Sequence, residues 1–220
     1  KKNQIPFIEM IEDQASNNGT GAWATSDGIE LGYPNNMMAS ALYSRYISSF
    51  KADRLKFAKS FSKKQAINKL SLNQLKKSYD LSRWVNHHQG FEMLALAANH
   101  YNWKIDLDQV AEVWSDGCII KSELMNFCIS FFKNRSSLLM SNEFKVLLNE
   151  GKESWKKILQ QAIEYEVSVI GMQSAWSFFS LLKTYKSSAN IIQAQRDYFG
   201  AHGVLIIDGK KEKLMHGPWG

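Results

Sequence analysis

Near its C-terminus the chain reads Ile191-Ile192-Gln193-Ala194-Gln195-Arg196-Asp197-Tyr198-Phe199-Gly200-Ala201-His202. The run is amphipathic at helical spacing, and Gly200 is a residue at which a helix can stop. Such a helix projects Arg196 and His202 around its end. A guanidinium offers a planar fork of donors suited to phosphate or carboxylate, and an imidazole beside it can donate to the same anion. Ser187 or Ser188 can start the helix. After His202 the pattern changes: Val204 to Ile207 is apolar and mostly β-branched, Asp208-Gly209 is a turn dipeptide, and Lys210 to Lys213 is charged. An exposed tail carrying Leu214, Met215 and Trp219 needs a cover, so docking on a partner subunit is expected.

Working outward, helical periodicity dominates. The three prolines fall at 6, 34 and 218, so nearly everything from Asn35 to Phe199 can be helical. Asn35 is placed to cap a helix over Asn36–Phe50. Asn73–Tyr101 reads as one long helix, with Leu72, Leu75, Tyr79, Val85, Met93, Leu96 and Ala97 on one stripe. Asp106 can cap a short helix through Trp114. Further helices are expected over Lys121–Phe132, Lys152–Tyr165 and Met172–Tyr185. The expectation is an all-α, antiparallel multi-helix domain over residues 1–202, followed by an extended C-terminal tail over 203–220.

Composition narrows the class. The 220 residues are 45% hydrophobic, enough for a sizeable core, and no run approaches the roughly 18–20 apolar residues of a membrane span. Lys1-Lys2-Asn3-Gln4 leads into no apolar signal core. Cys118 and Cys128 lack metal-like spacing and read as buried free thiols of a cytoplasmic protein. The net charge of +6 is concentrated: Lys51 to Lys77 holds nine Lys or Arg against Asp53 alone. A nucleic-acid surface would bind with steep salt dependence. The block lacks interleaved aromatics at exposed-looking positions, so a solvated helix face is favoured and neither nucleic acid nor membrane is expected as a partner.

Two further constellations bear on anion binding. In Asn17-Asn18-Gly19-Thr20-Gly21-Ala22-Trp23, glycines around a threonine let backbone N–H groups converge on an anion, and the Thr20 hydroxyl adds a donor. Arg45 lies in a mostly apolar helix, where it needs a counter-charge, an anionic ligand or a route to the surface. His87 and His88 are adjacent on a helix, face different directions and are not expected to share a metal. His100 reads as a favourable charge near a helix end. Glu92 reads as a polar partner without assigned chemistry.

Taken in order, G-T-G-x-W at 19–23, the Arg45 helix, Gln89-Gly90-Phe91-Glu92, Val113 to Ile120, the Gln193 to His202 run and the closing His216-x-x-Trp219 resemble 6-phosphogluconate dehydrogenase, specifically its C-terminal helical domain. The resemblance covers nearly the entire chain. It implies a homodimeric, NADP-dependent enzyme of the pentose phosphate pathway that oxidises and decarboxylates 6-phosphogluconate to ribulose 5-phosphate. It further implies that Gly19, Thr20 and Gly21 line the substrate site and that Arg45 holds the phosphate within the same chain. Arg196 and His202 would complete the partner's site. Asn18 and Ala22 stand where the family has lysines, and losing the first removes a charge-assisted hydrogen bond worth roughly 1.5–3 kcal/mol. Neither G-x-G-x-x-G nor the family's K-x-x-x-N-x-x-E-Y occurs in these residues. The NADP-binding Rossmann domain and the general base and acid are therefore not expected in this chain, and it is expected to be inactive alone.

Overall fold

The structure is a computed structural model describing residues 5–61, 70–134, 137–208 and 211–219. The chain packs as two compact units, residues 1–178 and 179–220. The division leaves the whole Arg196 helix with the C-terminal segment, whereas the sequence expectation divides the chain after His202.

In the first unit, helices α1 (Thr20–Glu30), α2 (Asn36–Ser49) and α3 (Lys51–Phe61) precede the long α4 (Leu72–Tyr101). Then follow α5 (Leu107–Asp116), α6 (Glu123–Phe131), α7 (Asn142–Glu164) and α8 (Ile170–Leu182), the last running across the division. Three serine caps start α4, α6 and α7: Ser71, Ser122 and Ser141 each accept the backbone N–H of the helix's third residue, Gln74, Met125 and Phe144. Helix α7 begins at Asn142 rather than Lys152, because Ser141 supplies its cap and Gly151 sits inside it. A Cβ on Gly151 would lie 2.9 Å from Leu81 Cδ1, so glycine there is the close-approach point of α4 and α7.

The long helix forms as expected, but its buried face follows the expected apolar stripe only in part, at Val85 and Ala97. Leu72 and Tyr79 are exposed; Ser78, Leu81, Ser82, Val85, His88 and Gln89 are buried. Ser78 and Ser82 donate to the carbonyls one turn earlier, at Gln74 and Ser78, 2.7 and 2.8 Å away. Their hydroxyls are thus satisfied within the helix, and small side chains let α7 approach. Beyond this seam, Phe91, Ala111, Leu124, Met125, Cys128, Phe132 and Leu138 form the core joining α4, α5 and α6. Cys128 is fully buried and its thiol is pushed up to about 12 by desolvation, whereas Cys118 is only partly buried.

In the basic block, Lys51 bridges Glu12 and Asp13 at 2.9 and 3.0 Å, and Arg54 bridges Asp13 at 2.8 Å. Phe57 and Phe61 are exposed with ring centroids 5.8 Å apart, so the block does carry exposed aromatics, contrary to expectation. Lys63, Lys64 and Lys69 lie outside the described residues. No helix among the described residues is long and apolar enough to cross a membrane.

In the second unit the extended C-terminal segment folds back on itself. After α9 (Ala189–Gly200), strands β1 (Val204–Asp208) and β2 (Lys211–Met215) pair antiparallel, with Val204 opposite Met215 and Leu205 opposite Leu214. The apolar, mostly β-branched run that reads as a tail finds its partner in the charged segment beyond it, which pairs one edge of each strand. The turn residues 209 and 210 lie outside the described residues. Helix α9 ends at Gly200 as expected, but Gly200 does not take up the left-handed conformation. The left-handed cap is Ala201, at φ 50°, and Gly200 instead gives room to the His202 ring, whose Nε2 would lie 2.8 Å from a Cβ there.

Candidate functional site

The first group of anticipated site residues is built on the α1–α2 pair. These helices pack together, and residues 31–35 turn the chain between them, so the start of α1 and the end of α2 share one end of the pair. The G-T-G sequence forms a helix N-terminus rather than a free loop. Gly19 is the cap, at φ 90°, with its N–H donated to Asn17 Oδ1 at 3.1 Å. No side chain caps the helix, so the Thr20 and Gly21 N–H groups begin it without partners in their own turn. The exposed Thr20 hydroxyl adds a third donor beside the positive end of the dipole.

Gly21 faces α2: a Cβ there would stand 3.6 Å from Leu42 Cδ1, one turn before Arg45. The Ala15 N–H donates to Ser48 Oγ at 2.9 Å, tying the segment leading into Gly19 to the last turn of α2. Gly19, Thr20, Gly21 and Arg45 therefore gather at one end of the pair. Arg45 is exposed and makes no ion pair with a described residue, unlike nearby Lys51 and Arg54, which are occupied by Glu12 and Asp13. Those two cations hold the Asp13 carboxyl well below the usual carboxylate range, Arg54 first.

Asn35 precedes α2 as expected, but its side chain does not cap it. The amide is buried and donates to the Ala24 carbonyl at 2.5 Å and to Met93 Sδ at 3.6 Å, pinning α1 and α2 to α4. Gln89 extends the pinning, accepting from the Met37 N–H at 3.2 Å and donating to Asn36 Oδ1 at 2.5 Å. This polar seam fastens the α1–α2 pair to α4 near the turn that joins the two helices.

The second group lies on α9 and the hairpin. Arg196 is exposed and its Nη1 donates to Gln193 Oε1 at 3.2 Å; Gln193 Nε2 in turn donates to the Gly203 carbonyl at 2.7 Å. His202 lies between this carbonyl and the end of α9, exposed. The residue missed by sequence reasoning is Asp197. Its buried carboxylate accepts four hydrogen bonds: Gly203 N–H and His216 Nδ1 on Oδ1, at 2.7 and 2.8 Å, and Gly217 N–H and Trp219 Nε1 on Oδ2, at 2.8 and 2.7 Å. These donors hold its carboxyl well below the usual range, the Gly217 N–H and His216 contributing most. The closing His216-x-x-Trp219 thus has a partner, and an acid set on an amphipathic helix was its only trace in the sequence. A groove of about 650 Å³ runs between α9 and the hairpin, lined by Asn190, Gln193, His202, Leu205, Leu214 and Trp219 among others.

Elsewhere, His87 and His88 do face different ways. His87 Nδ1 meets the Arg83 carbonyl at 2.8 Å, and His88 Nδ1 points at Glu92, 3.6 Å away. Glu92 is half-exposed. His100 is in the last turn of α4, edge-on to Tyr101. Among the described residues the only strands are β1 and β2, an antiparallel pair, so nothing here offers the parallel strand–helix unit that a dinucleotide needs.

An all-helical scaffold with a terminal hairpin thus carries exposed polar side chains and free amide groups at two helix ends. The chain belongs to the 6-phosphogluconate dehydrogenase family: the family model described as "6-phosphogluconate dehydrogenase, C-terminal domain" matches residues 1–219. It is similar to decarboxylating 6-phosphogluconate dehydrogenases from Ceratitis capitata, 32% identical over 97% of this chain and 46% of that protein, and from Buchnera aphidicola, 33% identical over the same shares. Its structure is similar to that of Plasmodium falciparum 6-phosphogluconate dehydrogenase, with a TM-score of 0.88 at 29% identity, covering 96% of this chain and 47% of that one. The chain therefore spans about half the length of the relatives it matches.

Proposed function

We propose that this chain is the sugar-acid-binding and dimerising module of a 6-phosphogluconate dehydrogenase, supplying anion-binding side chains rather than the groups that carry the redox chemistry. The observation that carries the reading is that Arg196, toward the end of α9, and His202, two residues beyond the helix, are both exposed at a helix end held by Asp197 and Gln193. Arg45 and the α1 N-terminus offer a second set of donors with no counter-anion among the described residues. In this reading Gly19, Thr20 and Gly21 line the substrate site and Arg45 holds the phosphate in the same chain. Arg196 and His202 complete the site of a second copy, Arg196 on the phosphate. Exposed Ile191, Ile192, Tyr198, Phe199, Leu205 and Leu214 on the second unit support a subunit contact.

The substrate in this reading is 6-phosphogluconate and the oxidant NADP, both named for the Plasmodium falciparum relative. A polypeptide carrying this domain and a nucleotide-binding half would perform the oxidative decarboxylation to ribulose 5-phosphate. Asn18 and Ala22 favour a second reading, an altered-substrate relative. Arg196→Ala in the full-length protein is expected to weaken 6-phosphogluconate binding by about 1.5–3 kcal/mol, tenfold or more. Unchanged binding by calorimetry would remove the phosphate role of Arg196. Tighter binding of an unphosphorylated sugar acid than of its phosphate ester would establish the second reading instead.

A further inference from the structure

Asp197 is adjacent to Arg196 in sequence, yet its side chain faces the opposite way, into the second unit. It is the most densely bonded side chain of that unit: two backbone N–H groups, an imidazole and an indole converge on one buried carboxylate. The Gly203 N–H is the one that matters for the site, because Gly203 directly follows His202. Gln193 holds the other face of the same residue through the Gly203 carbonyl, and Gln193 also receives Arg196. Gly203 sits at φ 78°, and a Cβ there would meet Leu214 Cδ1 at 2.9 Å, so only glycine passes the chain from α9 into β1 at this point. His202 is therefore suspended between two fixed points, the end of α9 and Gly203.

We propose that Asp197 is a positioning residue of the sugar-phosphate site, and that it makes His202 placement depend on the closing His216-Gly217-Pro218-Trp219 segment. This rests on the sugar-phosphate reading above. Oδ1 binds both Gly203, at the His202 end, and His216, at the far end of the hairpin; Oδ2 binds Gly217 and Trp219. Each oxygen takes one backbone N–H, so an amide in place of the carboxylate leaves one backbone donor facing its NH₂ in either orientation. Asp197→Asn cannot be silent in this geometry, even though it is isosteric. Milder changes act from the other end. His216→Ala removes one donor, His216→Asn keeps an N–H donor on a short side chain, and Trp219→Phe removes the indole N–H while keeping a ring.

The test measures KM for 6-phosphogluconate and for NADP in the full-length enzyme carrying each variant, with Arg196→Ala as reference. Asp197→Asn is expected to raise the KM for 6-phosphogluconate about tenfold or more while the KM for NADP stays within about twofold. His216→Ala and Trp219→Phe are expected to raise it less, and His216→Asn to restore it toward wild type. If Arg196→Ala raises that KM but Asp197→Asn, His216→Ala and Trp219→Phe do not, the positioning role is wrong while the site reading stands. Equal rises in both KM values would also overturn it, because a general loss of structure would not single out the sugar phosphate. If Asp197→Asn does not fold, His216→Ala against His216→Asn decides: no difference between them sinks the proposal. If Arg196→Ala is itself silent, the site reading falls and this inference falls with it.

Discussion

His88 is an imidazole held in its neutral form. It is buried on the inner face of α4, beside the Phe178 ring, and desolvation pulls its pKa from the ordinary 6.5 down to about 4. Protons therefore bind the unfolded chain first as pH falls. The stabilising contribution is complete above about 6.5 and is lost between 6.5 and 4, by up to roughly 3 kcal/mol. Glu92, raised by its own partial burial, works in the opposite direction nearer its own range, since the folded chain protonates it more readily. Thermal unfolding followed from pH 7.5 to 4 is expected to show His88→Asn losing less stability than the wild type across that window; parallel curves would mean that His88 does not carry the acid sensitivity. At this scale the sequence disclosed what a side chain could do better than where it would be satisfied. Arg196 and His202 stand out by residue type near a helix end, whereas Arg45 is singled out through the order of motifs around it. Asp197 is not legible, because its significance lies in four donors that only the folded hairpin brings to it.

Helices α1 and α2 show the same limit one level up. Their existence follows from periodicity and from Pro34, and α2 lies within a residue of its expected range. How they are joined does not follow, since the fastening is polar. Asn35 occupies the cap position but spends its amide on Ala24 and Met93, and a Cβ on Gly28 would fall 2.3 Å from Asn35 Nδ2. Gly28 is thus the space into which the Asn35 amide fits. Gly28→Ala should gain helix propensity of up to about 1 kcal/mol yet lose more by displacing that amide, for a net destabilisation of about 1–3 kcal/mol. Chemical denaturation would show it, and a stabilised variant would mean that Asn35 can move aside at little cost. The serine face of α4 was illegible for a related reason: a hydroxyl that bonds its own helix behaves as a small packing residue, which no hydrophobic stripe can register. The hairpin was half legible, because β-branched residues predicted extension but not the charged strand that pairs with it.

For the molecule as a whole, the order of short motifs in the sequence carried more information than any single helix, and it placed the chain in its family before any contact was known. What order could not convey is which copy supplies which side chain. In the proposed assembly, Arg45 serves the site of its own chain while Arg196 serves that of its partner, and this division has a consequence that single variants cannot imitate. A dimer formed from one Arg45→Ala chain and one Arg196→Ala chain has one site with both lesions and one with neither. Equal mixing with free subunit exchange makes half the dimers hybrid, each with one intact site, so activity should recover to about a quarter of wild type. Were Arg45 and Arg196 to act on the same substrate from the same chain, every site in every dimer would carry one lesion and mixing would recover nothing. The measurement is the rate of NADPH formation by the full-length variants, separately and after subunits are exchanged under mild denaturant.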